Sequence, residues 1–210
     1  VPIKNSIHRR LIMVNKYVIL VLAVLLSLLC ASVVSAQEWT GNINAFLGQK
    51  TLNDKDFWEP AEEQGEFGIE FDFRQRNWPI SIAIDLMVAS GEGDFFDPFN
   101  GTIDTFKSRT SEFNIGVRKV WEGISPVRPF IGGGVSFMHA EAEEVVPGVG
   151  SFTDTDDGTG VWLGGGVYFT LGYNFNLGLE LKYSTADVTL ENVDTNAGGT
   201  HFGLLVGYHW

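Results

Sequence analysis

Apolar and polar residues alternate with a period of two along most of this chain. That is the mark of strands with one apolar and one polar face. Trp39, Gly41, Ile43, Ala45 and Leu47 alternate with Thr40, Asn42, Asn44, Phe46 and Gly48. Phe67, Ile69, Phe71 and Phe73 stand opposite Glu66, Gly68, Glu70, Asp72 and Arg74. Ile80, Ile82, Ile84, Leu86 and Val88 oppose Ser81, Ala83, Asp85 and Met87. Phe113, Ile115, Val117 and Trp121 oppose Glu112, Asn114 and Arg118. The beat continues with Ile131, Val135 and Phe137 against Arg128, Phe130 and Ser136, and with Val161, Leu163, Val167 and Phe169 against Trp162 and Tyr168. Leu177, Leu179, Leu181 and Tyr183 then oppose Asn176, Glu180, Lys182 and Ser184, and Phe202, Leu204, Val206, Tyr208 and Trp210 oppose His201, Gly203, Leu205, Gly207 and His209. No helical period is sustained after Gln37. The pattern predicts eight strands of roughly nine to twelve residues, the length of a tilted membrane strand.

The connections alternate in length. Short turns are expected near Gln75–Trp78, Glu122–Pro126 and Leu171–Asn174, and long loops near Thr51–Glu63, Ser90–Thr110, Glu141–Thr159 and Asp187–Gly199. Strict alternation of this kind suits an up-and-down barrel with tight turns on one rim and elaborated loops on the other. A soluble lipocalin-like barrel and a membrane barrel share the pattern but put opposite faces inside. Two features choose the membrane sign. The apolar faces are almost free of charge, Lys119 at a strand end being the main exception, and charge facing lipid is costly. Aromatic residues gather near the short turns, at Trp78, Trp121, Tyr173, Phe175, Tyr208 and Trp210, as at a membrane–water interface.

The N-terminus changes the picture further. Lys4, Arg9, Arg10 and Lys16 precede the apolar run Tyr17–Ala36, which ends Val34-Ser35-Ala36. Residues 1–36 therefore read as a secretory signal peptide cleaved before Gln37, with residues 1–12 a possible upstream translation artefact and Met13 the start. An uncleaved anchor is the alternative. Cys30, the only cysteine, follows Leu29 where a lipoprotein site would want a small residue. Residues 37–210, the expected barrel domain, hold no cysteine, which excludes a disulfide framework or thiolate metal site there. Net charge is −12, and −16 without the four basic residues of the leader, which excludes a nucleic-acid partner.

The terminal segment AGGTHFGLLVGYHW (Ala197–Trp210), together with NLGLELKYS (Asn176–Ser184), the two GGGV segments and the leader, resembles the small outer-membrane β-barrel proteins of Gram-negative bacteria, the OmpA-type, opacity-type and Ail-type group. The resemblance spans residues 39–210. It implies an all-β, eight-stranded antiparallel transmembrane barrel, exported through the periplasm to the cell outer membrane. It implies outer-membrane lipid and lipopolysaccharide as surroundings. It also implies that the barrel-assembly machinery reads Phe202, Leu204, Val206, Tyr208 and Trp210.

FIGGGVSF (Phe130–Phe137) and WLGGGVYF (Trp162–Phe169) place triple glycines in neighbouring strands. Parity turns Gly132, Gly134, Gly164 and Gly166 inward, where hydrogens leave volume for rings and arginines, and Gly133 and Gly165 toward lipid. A phosphate cradle would need a helix to follow, and none does. The inward charges Glu66, Glu70, Asp72, Arg74, Asp85, Glu112, Arg118, Arg128, Glu180 and Lys182 form a lumen polar network, either a paired core or an ion path. Its six acids exceed its four bases. DTDDGTG (Asp154–Gly160) superficially suggests a calcium loop but lacks the EF-hand spacing. Phe57, Trp58, Phe95, Phe96 and Phe99 form an adhesive surface or pack over the barrel mouth. Ser136 and His139 lie three apart on a strand and point to opposite faces, so they make no nucleophile–base pair. We expect no catalytic residues, cofactor or metal ligands. The expected role is that of a non-catalytic surface barrel with acidic outer loops and an unidentified loop partner. A narrow solute channel and a lipid A-modifying enzyme are the alternatives.

Overall fold

The computed structural model describes residues 38–98, 101–122 and 126–210, the Tyr173 side chain excepted. The expected signal peptide and Phe99 lie outside the described residues. The elements are β1 (Trp39–Leu52), a one-turn helix α1 (Lys55–Trp58), β2 (Glu63–Gln75), β3 (Ser81–Asp97), β4 (Thr102–Val120), β5 (Val127–Val146), β6 (Gly150–Leu171), β7 (Phe175–Leu190), β8 (Val193–Asn196) and β9 (Gly199–His209). β1 to β7 pair in sequence order, and β9 bridges β7 and β1. Eight strands thus close into a ring, while short β8 rides only on the end of β7. Closure leaves no open edge at membrane depth, where an unpaired N–H or C=O would have no water to bond. The seam is carried by the last strand: Ile43 faces Tyr208 and Leu47 faces Leu204, and the Gly41 and Trp210 backbones exchange N–H···O bonds of 3.3 and 3.1 Å.

The faces separate as the alternation requires. Leu86, Leu181 and Phe202 are 53, 58 and 59 % exposed, whereas Glu70, Asp85 and Arg118 are fully enclosed. From Ile80, just before β3, to Val88 within it, the outward apolar band spans eight residue steps. At about 3.4 Å per residue and a tilt near 40°, that is roughly 21 Å of height, close to an outer-membrane hydrocarbon layer. Trp78, Trp121, Phe175 and Tyr208 ring its short-turn end.

Three of the expected long loops are corrected. The segments 90–110 and 141–159 are not loops. They extend β3 to β6 into hairpins paired out to Asp97↔Thr102 and Val146↔Gly150. Strands β3 to β6 run 17, 19, 20 and 22 residues. Asp, Gly and Pro in these segments suggested turns. The interspersed Thr, Phe, Ile and Val keep the ladder going, and the turn glycine Gly101 (φ 67°) sits only at the tip. Likewise, the segment 187–199 is not a single loop but carries β8. The four-strand extension rises well beyond the apolar band.

The glycine parity has a steric reason. A Cβ on inward Gly132 would meet the Trp162 ring at 3.1 Å, and one on Gly166 would lie 2.8 Å from the Phe130 ring. Gly132 and Gly164 are register partners, so the thin stretches lie side by side, with Phe130 and Trp162 in the space they leave.

Candidate functional site

The lumen is filled in tiers. At the short-turn rim, Glu122 pairs with Arg74 at 2.8 Å and with Arg128 at 3.5 Å. Burial pushes the Glu122 carboxyl up, but the hydrogen bond and charge of Arg74, joined by Arg128, hold it below its ordinary range. Arg128 also donates to Asn42 Oδ1 and Thr170 Oγ1, both at 3.1 Å. An apolar tier of Phe46, Met87, Val120, Phe130, Tyr168 and Leu205 contributes to the fill.

The central tier is ionic. Arg118 Nη2 lies 3.2 Å from Glu70, 3.3 Å from Asp85 and 3.8 Å from Glu180, and Nη1 lies 3.6 Å from Asp72. Lys182 Nζ lies 2.8 Å from Glu70, 2.9 Å from Asp85 and 3.7 Å from Glu180. Both cations also sit over rings, Arg118 over Phe130 at 5.2 Å and Lys182 over Trp162 at 5.4 Å. Asn42 Nδ2 donates to both Asp72 oxygens, at 2.9 and 3.1 Å.

A further tier joins Glu66 and Glu112 to two residues outside the sequence-derived network, Lys50 and His201. Lys50 Nζ donates to Glu112 Oε1 at 2.6 Å, Ala197 O at 2.8 Å and Thr110 Oγ1 at 3.0 Å. His201 bonds Glu66 through Nδ1 at 2.8 Å and Ser184 Oγ through Nε2 at 2.8 Å. Lys50 falls past the strand end expected at Gly48, but the parity of Asn42, Asn44 and Phe46 already turned it inward. Lys50 adds a fifth base against the six acids, and His201 adds a hydrogen-bond partner for Glu66. Ser184, His201 and Glu66 stand in the order of a nucleophile, base and orienting acid. All three side chains are enclosed, and Ser184 Oγ also faces Glu112 at 3.4 Å, so lipid on the barrel's outside has no approach to it.

The loop-side mouth is capped. Trp58 of α1 is fully buried among Leu52, Met138, Ala140, Ala142, Ala186, Val188, Leu190 and Ala197, and its indole N–H donates to Asn196 O at 3.1 Å. Phe57 packs on it edge-on, with centroids 5.0 Å apart. The loop aromatics therefore divide: Phe57 and Trp58 plug the mouth, while Phe96, 65 % exposed, stands out at the β3–β4 tip opposite Ile103.

Outside, directly above the apolar band, Arg109 pairs with Glu141 at 2.8 Å, Lys107 with Glu143 at 3.6 Å and His139 with Asp157 at 2.8 Å. Ser136, three residues before His139, is buried on the opposite face, as parity requires. The DTDDGTG segment is strand, not a solvated loop. Asp154 and Asp156 accept the Glu191 and Thr189 backbone N–H at 2.6 and 2.7 Å, capping the β7–β8 hairpin edge. The Thr189 N–H, and then that of Asp157, hold the Asp156 carboxyl below its usual range.

A family model described as "Outer membrane protein beta-barrel domain" matches residues 21–210. No curated protein sequence matches the chain. Among solved structures, Ail, the attachment invasion locus protein of Yersinia pestis, in complex with the heparin analogue sucrose octasulfate, is similar with a TM-score of 0.54 at 16 % identity, over 82 % of this chain and 99 % of Ail. A major outer membrane protein from Thermus thermophilus is similar with a TM-score of 0.55 at 12 % identity, over 82 % of this chain and 99 % of that one.

Proposed function

We propose that this chain, which belongs to the outer membrane protein beta-barrel domain family, is a sealed barrel that acts through its protruding hairpins as a non-catalytic surface-interaction protein. It resides in the cell outer membrane. The observation that carries the proposal is the contrast between its two ends. The lumen is packed with paired charge and stoppered by Trp58, whereas β3 to β6 carry an exposed Phe96–Ile103 tip far above the lipid band. A barrel built to pass solute would keep its axis wet, and one built to modify lipid would place its reactive groups on the lipid side.

The chemistry of the hairpins narrows the partner. Ail was solved with a heparin analogue. Here residues 141–159 and 187–199 hold nine acidic residues and no basic one, so a polyanion is repelled and a neutral or cationic surface suits better. Lipopolysaccharide surrounds the apolar band, with Lys107 and Arg109 at the height of its headgroups. Phe202, Leu204, Val206, Tyr208 and Trp210 serve as the signal for the assembly machinery, because this closing strand must be held until β1 pairs with it.

Cells expressing the full chain should adhere to protein-coated glass. The double variant Phe96→Ser/Ile103→Ser should lose that adhesion while remaining in the outer membrane at wild-type level. Unchanged adhesion would defeat the reading. Lipid A mass spectra with and without expression should coincide; a shifted acyl or headgroup mass would favour an enzyme instead.

A further inference from the structure

We propose that the outer wall of the barrel carries a seat for one zwitterionic aminophospholipid. Ser111, His139 and Asp157 grip its headgroup end, and a groove below them takes its upper acyl segments. The seat rests on the chain's place in the outer membrane and not on the adhesive role of the hairpin tips. The groove has a volume of about 720 Å³, within the roughly 300–1,000 Å³ of small-molecule sites. Two cross-strand rows build it. The lower row is Leu86–Phe113–Phe137–Thr159, in which the two phenylalanine rings stack with centroids 6.1 Å apart. The upper row is Val88–Ser111–His139–Asp157, at the level where the outward apolar band ends. Ser111 makes the dent. Its small side chain stands between Phe113 below and Arg109 above on the same face of β4.

Position alone makes no site, because an acyl chain gains little by leaving other acyl chains for an apolar wall. The polar end supplies the distinction. His139 Nδ1 bonds Asp157 Oδ1 at 2.8 Å, which leaves Nε2 as the free ring nitrogen. Neither Nε2 nor Ser111 Oγ has a hydrogen-bond partner among the described residues, yet both residues line a largely apolar groove. Polar groups left open at the top of a lipid-facing band need a polar occupant, and the ester and phosphate oxygens of a phospholipid are such partners.

The charges around this end select the headgroup. Outward-facing Lys107 and Arg109 stand against Glu92, Glu141, Glu143 and Asp157. A polyanion such as lipid A meets net repulsion there. A zwitterion has Arg109 for its phosphate and Asp157, whose side chain is 85 % exposed, for its ammonium. Ser111, His139 and Asp157 also stand in the order of nucleophile, base and orienting acid. Ser111 makes no hydrogen bond to His139 among the described residues, however, and the backbone N–H groups of β4 and β5 beside it belong to the sheet ladder. No donor pair is therefore aimed at an oxyanion. The row is a grip rather than a catalytic centre.

The test is native mass spectrometry of the full chain folded in detergent micelles, mixed with phosphatidylethanolamine, phosphatidylglycerol or lipid A at equal concentration. The wild type should retain one phosphatidylethanolamine per barrel and hold the other two lipids at least about tenfold less well. Ser111→Phe, which fills the dent, should abolish the one-to-one complex. Asp157→Asn should weaken phosphatidylethanolamine at least about tenfold, as expected for one lost charge-assisted hydrogen bond, and erase its preference over phosphatidylglycerol. Leu179→Phe, on β7 outside the groove, should leave binding unchanged. A wild-type chain that folds in micelles, shown by a heat-modifiable gel band, but retains no lipid would sink the seat and leave the membrane placement standing. Equal retention of the three lipids, or undiminished binding in both Ser111→Phe and Asp157→Asn, would also overturn the proposal. So would a bound lipid lighter by one acyl chain, which would make the row a hydrolase.

Discussion

Arg118→Met removes the cation around which the central tier is organised. The guanidinium contacts Glu70, Asp72, Asp85 and Glu180 within 3.2 to 3.8 Å, and nothing in that tier is open to solvent. Methionine keeps much of the volume beside Phe130 but leaves Glu70, Asp85 and Glu180 to Lys182 alone and Asp72 to the Asn42 amide. Breaking a buried pair by deleting one partner costs about 3 to 5 kcal/mol, because the orphaned charge stays buried. Four carboxylates share this loss, so the upper end of that range is expected. The comparison variant is Arg109→Met, whose side chain is 61 % exposed and whose Glu141 pair faces water; screening there limits the effect to well under about 1 kcal/mol. Reversible guanidinium unfolding in lipid vesicles, followed by tryptophan fluorescence, reads both. A second variant, Arg118→Met with Asp85→Asn, should recover part of the loss, with a coupling of about 0.5 to 3 kcal/mol. If Arg118→Met unfolded within about 1 kcal/mol of wild type, water would have to be solvating the tier, and the description of a sealed lumen would fail.

Trp58→Ala should cost about 3 to 5 kcal/mol by leaving a void beneath the cap, measured by the same unfolding assay. It should also make Met138 newly susceptible to aqueous oxidant. Gly166→Val should prevent folding altogether, because a side chain there collides with the Leu179 carbonyl and the Phe130 ring; a heat-modifiable gel band at wild-type yield would refute this. At the short-turn rim, Glu122 is held below its ordinary range by Arg74 and Arg128. Its contribution to stability is therefore present above the unfolded carboxylate pKa and is lost as pH falls through the lower folded value. Glu122→Gln should flatten the acid limb of the stability–pH curve, and an unchanged limb would contradict the assignment. Trp210→Ala should reduce the amount of chain reaching the outer membrane in cells while leaving folding of the purified chain in detergent intact; equal amounts would remove the assembly role.

The wall of the barrel was legible because a closed sheet between lipid and a packed interior forces every second residue to one side. Phe67, Leu86 and Leu181 could face only one way once Glu70, Asp85 and Lys182 had to be shielded. The outer hairpins were not legible. Asp94, Asp97, Pro98 and Gly101 are turn formers in isolation, and only pairing across to Thr102–Thr105 makes their neighbours strand. Lys50 and His201 escaped the network because their partners, Glu112 and Glu66, lie 62 and 135 residues away. Trp58 read equally well as adhesive or as a plug, since nothing local to Lys55–Trp58 indicates that the mouth closes over it.

The sealed axis is tested most directly by current. The full chain, inserted singly into planar lipid bilayers, should give no discrete conductance steps above the leak of the lipid itself, while Trp58→Ala combined with Arg118→Met should give intermittent openings. Reproducible, ion-selective steps from the wild-type chain would contradict it.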